Sequence, residues 1–130
     1  GKPGIHSARL AVDENGNKNF DLAFQRIEQE LIAKNVNLKT QIIHAHFICN
    51  LTIYFPQTKK TKSFEGRVDG KLTFPPKGSK GFGYDPIFIA DGFDKTFGEM
   101  LAQDKDKISH RSKAFEKFIA SYNSQSWTCD

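Results

Sequence analysis

Cysteine is nearly absent from this chain: Cys49 and Cys129 are the only two in 130 residues. That excludes a disulfide-stapled scaffold, and with no CxxC pair it excludes the usual zinc knuckle and thiol–disulfide motifs. Long apolar runs are absent too, and nothing approaches the ~20 residues needed to cross a bilayer as a helix. The opening GKPGIHSARL lacks the charged-then-apolar layout of a secretory signal. No membrane partner and a reducing, cytoplasmic setting are therefore expected. Basic runs are scarce: KKTK at Lys59–Lys62 is the densest and falls where a hairpin tip is expected. A net charge of +4 favours anionic ligands mildly but falls short of a nucleic-acid arm, so no nucleic-acid partner is expected.

The chain holds one domain's worth of residues, with 38% hydrophobic and 26% charged, ordinary values for a folded core. Its opening nineteen residues are turn-rich and predict no regular element. From Phe20 the pattern changes. Phe20, Phe24, Ile27, Leu31 and Ile32 recur at helical spacing, with Gln25, Arg26, Glu28, Gln29 and Glu30 opposite. Asn17 or Asn19 is placed to cap the start and Asn35 the end.

Ile42–Phe55 alternates strictly, its odd positions apolar from Ile43 to Phe55, which predicts a long strand buried on one face. PQTKKTK then turns the chain into a return strand, SFEGRVDGKLTF, where Gly66 and Gly70 mark a bulge or a close backbone approach. A short apolar strand follows at Ile87–Ala90. Thr96 and Glu99 sit at capping-box spacing and predict a helix over TFGEML. A last helix is predicted over SHRSKAFEKFIASY, with Ser109 as its cap and Ala114, Phe115, Phe118, Ile119 and Tyr122 on the buried side. The final NSQSWTCD has no readable pattern. The fold class is α/β, a mixed sheet with a long central β-hairpin flanked by helices.

Four places could carry chemistry. His44 and His46 are two apart on one strand face, but no third ligand supports a metal reading. Glu65 and Asp69 on the return strand are read as solvated. The loop PPKGSKGFGYDPIF invites a phosphate-cradle reading and fails it. Its lysines precede the last glycines, Asp85-Pro86 leads into a strand, and Gly81-Phe82-Gly83 is not continued as a dinucleotide fingerprint. A carboxylate inside a phosphate cradle would also repel its ligand. What the loop offers is the ring of Phe82 between two glycines, able to stack a nucleobase, and Asp85 as an acceptor for base N–H groups. At Ser109-His110-Arg111, an arginine in a helix's first turn opposes the helix dipole, which suggests an electron-rich partner from outside. No nucleophile pairs with His110, so it is not read as catalytic.

Together KGFGYDPIF, GFDKTFGEM and KDKISHRSKAFEKF, with the opening KPGIHSARL, resemble the inosine triphosphate pyrophosphatase family in order and spacing. His6 departs from the tyrosine usual in that opening segment. The resemblance implies Mg²⁺-dependent hydrolysis of ITP, dITP and XTP to monophosphate and pyrophosphate, and a homodimer. It implies that Phe82 stacks the base, that Gly83, Tyr84 and Asp85 complete the binding loop, and that Lys105, His110 and Arg111 recognise the base. The family's triphosphate motif, metal ligands and general base lie upstream of the PG(I/V)YSAR segment. The expectation is therefore of a partial domain over residues 1–130 that holds the base-reading half of a site. It has no catalytic residue or metal ligand of its own and is weakly active alone. The alternative is a non-catalytic remnant that binds a purine nucleotide or dimerises.

Overall fold

The structure, a computed structural model, describes residues 1–124; the tail that holds Trp127 and Cys129 lies outside the described residues. The elements are helix α1 (Phe20–Ala33), strands β1 (Ile43–Phe55), β2 (Lys60–Leu72) and β3 (Phe88–Ala90), and helices α2 (Ala102–Asp106) and α3 (His110–Ser124). The sheet order is β1-β2-β3, with β2 and β3 antiparallel in the register Gly70↔Ala90, Lys71↔Ile89, Leu72↔Phe88. No helix among the described residues is long and apolar enough to cross a membrane. The chain divides into two compact units.

The first unit joins Gly1–Ala45 to Gly70–Met100. Its opening is not irregular: Gly4–Ala11 forms a 3-10 helix kinked at His6. What holds it is remote in sequence. Arg26 of α1, expected on the solvated face, donates from its guanidinium to the carbonyls of Leu10 (2.7 Å) and Val12 (3.0 Å). The adjoining turn is closed by Asp13, whose carboxylate accepts from the backbone of Asn17 at 2.8 Å and Asn15 at 2.9 Å. Those bonds, the one from Asn17 foremost, hold the Asp13 carboxyl below its ordinary range.

Helix α1 begins at Asn19, whose side chain accepts from the Asp21 N–H. It ends in paired 5→2 and 6→1 bonds, Asn35 N–H to Ile32 and Val36 N–H to Leu31, with Asn35 at φ 59°. That is the left-handed termination asparagine tolerates. Its buried residues are Ala23 and Phe24, while Ile32, expected in the core, is exposed. The core of this unit is completed by Ala11, Ile87, Phe88, Ile89, Ala90, Phe97 and Met100.

The helix expected over TFGEML does not form. Thr96 and Glu99 do make the reciprocal capping pair, Thr96 N–H to Glu99 Oε2 at 2.8 Å and Glu99 N–H to Thr96 Oγ1 at 3.2 Å. The next backbone acceptor is already used, however, because the Gly98 carbonyl takes the Lys80 N–H at 2.8 Å. The Phe97 and Gly98 N–H groups are bound to the Phe88 and Asp85 carbonyls. The segment is therefore a turn stitched to the loop, and helix begins only at Ala102.

The second unit joins His46–Asp69 to the chain from Leu101 onward. Lys60, Thr61 and Lys62, expected in a turn, already belong to β2; the turn residue is Lys59, at φ 55°. The inward positions Gly66 and Val68 of β2 are buried. Ser109 caps α3 by accepting the Ser112 N–H at 3.2 Å. Lys113 and Lys117 donate to the Arg67 and Glu65 carbonyls, and Phe64 meets Phe118 edge to face. Only Ala114 of the expected α3 core face is buried; Phe115, Ile119 and Tyr122 are exposed. The apolar face of β1 is likewise half-buried rather than buried.

Candidate functional site

Gly81 (φ 71°) and Gly83 (φ 63°) both adopt left-handed backbone on either side of Phe82. A side chain would be strained at either place, so within Gly81–Gly83 only position 82 carries one without strain. The ring of Phe82 is 57% exposed, the accessibility a stacking platform needs.

Asp85 does something other than expected. It is 3% exposed, and its Oδ2 accepts the Phe82 N–H at 2.9 Å, while its own N–H reaches back to the Phe82 carbonyl at 3.3 Å. Its carboxylate thus braces the loop rather than standing open towards a base edge. Tyr84 also points inward. Its hydroxyl donates to the Ser7 carbonyl at 2.6 Å, and its ring lies edge-on to Phe20 (5.4 Å) and Phe24 (6.1 Å). Burial raises the phenol above its ordinary pKa. The structure therefore brings Phe82, Gly83, Tyr84 and Asp85 together in one loop of the first unit, with Phe82 as the outward group.

Lys105, His110 and Arg111 belong to the second unit. The Lys105 carbonyl accepts the N–H groups of Ile108 (3.1 Å) and Ser109 (2.9 Å), closing the turn between α2 and α3. His110 and Arg111 follow the cap as the first residues of α3. The His110 ring lies against Phe47 at 5.0 Å, with the planes inclined by 31°. Arg111 is exposed. No acidic residue occupies the first turn of α3, which leaves that end of the helix cationic.

Glu65 and Asp69 are exposed on β2, as expected. Asp69 is engaged by Arg67 through two nitrogens at 2.6 and 2.9 Å, which hold its carboxyl below the ordinary range. Among the described residues no three His, Cys, Asp or Glu side chains come together to hold a metal ion. The donors among the described residues thus do not form a site that fits Mg²⁺.

Sequence reasoning missed Ser7, which holds this loop through Tyr84, and Arg26, which holds the segment to which Ser7 belongs. Nothing local could have signalled them: the Tyr84–Ser7 bond spans 77 positions and ends on a backbone carbonyl.

Comparison with known proteins gives a consistent picture. A family model described as Ham1 family matches residues 1–121. A dITP/XTP pyrophosphatase of Zymomonas mobilis is 44% identical over 118 residues, covering 91% of this chain and 53% of that protein. A dITP/XTP pyrophosphatase of Brucella melitensis is 38% identical, covering 91% and 56% respectively. The solved Ham1 protein of Staphylococcus aureus superposes with TM-score 0.79 at 33% identity, over 95% of this chain and 59% of that one. The chain thus spans little more than half the length of the relatives it matches.

Proposed function

Because this chain belongs to the Ham1 family, we propose that the protein hydrolyses the non-canonical purine nucleoside triphosphates dITP, ITP and XTP to monophosphate and pyrophosphate, and that residues of this chain bind and select the base. The observation that carries the reading is the Phe82 loop. The exposed Phe82 stands between two left-handed glycines, its backbone N–H fixed by a buried carboxylate. Phosphate binding has no use for such a ring, whereas a purine face does.

Lys105, His110 and Arg111 supply the second role. N–H donors, those of Lys105 and Arg111 cationic, suit the six-carbonyl of hypoxanthine or xanthine. Adenine presents an amine at that position, whose hydrogens would meet donors and leave both unsatisfied. A site built on donors rejects such a ligand more strongly than shape alone can. Asp85 in this reading positions Phe82. The homodimer implied by the resemblance and the cytoplasmic setting expected from the composition belong to the same proposal; the exposed Phe115, Ile119 and Tyr122 of α3 offer apolar area for a subunit contact.

The test is Phe82→Ala, with inosine monophosphate titrated as the probe. Loss of one stacked ring should weaken binding by ~30-fold, the middle of the range for base stacking. An exposed ring contributes little to the core, so the melting midpoint should stay close to that of the parent protein. Unchanged affinity would remove Phe82 from the site.

A further inference from the structure

Left-handed glycines let Phe82 stand out, but they also leave the loop backbone soft, since glycine has the most conformational freedom to lose. Something must hold the ring at one height and tilt. Asp85 fixes the Phe82 N–H. The second anchor is Tyr84, two positions on. Its hydroxyl is committed to Ser7 and its half-buried ring is packed against Phe20 and Phe24, so its polar atom is already engaged within the protein. Ser7 is itself held within a framed segment. Its 3-10 helix is clamped to α1 by Arg26 at Leu10 and Val12, and by the Asn19 N–H on the Ala11 carbonyl at 2.6 Å. Both faces of the Tyr84 anchor therefore rest on α1, once directly and once through the opening segment.

We propose that Tyr84 is a positioning residue: by tying the loop to Ser7 and α1 it fixes the ring of Phe82 for stacking, and the segment Gly4–Ala11 is thereby part of the base platform. This rests on the stacking reading of Phe82. It differs from a role in which the Tyr84 side chain touches the base.

A double-mutant cycle on this chain, with inosine monophosphate as the probe, separates the possibilities. Tyr84→Phe keeps the packed ring and deletes only the bond to Ser7. It should weaken binding by about 5-fold, as expected for one neutral hydrogen bond, and cause no further weakening in a Phe82→Ala background. Amide hydrogen exchange at Phe82, measured without ligand, should be faster in Tyr84→Phe. Additive losses would assign Tyr84 its own contact with the base and overturn the proposal, as would unchanged affinity or unchanged exchange at Phe82. If Phe82→Ala alone leaves binding intact, the stacking reading falls first and the positioning role with it. A Phe82 effect without a Tyr84 effect sinks only the positioning role.

Discussion

Replacing Gly66 with alanine should lower the melting midpoint by about 10 °C, the shift expected when overpacking costs ~3 kcal/mol in a domain of this size. A Cβ at Gly66 would fall on the His110 carbonyl oxygen and the Ala114 nitrogen, with the His110 carbonyl carbon at 3.0 Å. All three are backbone atoms of the first turns of α3, so no side chain can rotate out of the way. Only lifting the helix would make room. Lifting would strain the Lys113 and Lys117 bonds to β2 carbonyls and the Phe64–Phe118 contact. Alanine reduces the entropy of the unfolded chain and so favours folding by ~0.4–1 kcal/mol, which the clash exceeds. Thr61→Ala, on an exposed position of the same strand, is the control and should change stability by no more than ~0.5 kcal/mol. A Gly66→Ala protein that melts with its parent would contradict the packing of α3 on β2. Because His110 and Arg111 open α3, the same substitution should also disturb base recognition.

Arg111→Ala should do the reverse, leaving the fold and removing selectivity. Arg111 is exposed, and a positive charge in the first turn opposes the helix dipole by ~0.3–1 kcal/mol, so thermal melting should move little. A well-placed bidentate donor is worth about 1–3 kcal/mol of discrimination between bases, or roughly 5- to 150-fold. The variant should therefore bind inosine and adenosine monophosphates alike. Retained preference, measured in paired titrations, would assign selection to other groups.

Much of this architecture is legible in the sequence because it is local. Asn19 and Ser109 cap where their spacing predicts, Asn35 ends α1, and the alternation from Ile43 to Phe55 becomes β1. Gly66 and Gly70 announce close approaches, and those are what they permit. What misled were patterns whose meaning depends on distant partners. Thr96 and Glu99 form a true capping pair, yet Lys80 occupies the carbonyl on which a helix would have to build. Arg26 has the polarity of a surface residue, yet its guanidinium holds two carbonyls of the opening segment. Periodicity identifies the apolar side of α3 but not what covers it, and Phe115, Ile119 and Tyr122 remain exposed. The same holds at the loop. Residue types indicate a ring and a carboxylate, but only the fold turns Phe82 outward and buries Asp85 beneath it.

Whether this chain reads the base of a non-canonical purine nucleotide is tested most directly by an equilibrium titration of the unmodified chain with inosine and adenosine monophosphates at one salt concentration. Inosine monophosphate should bind more tightly by ~10-fold or more, the discrimination expected of donors facing a six-carbonyl. Equal affinities, or a preference for adenosine monophosphate, would contradict that reading.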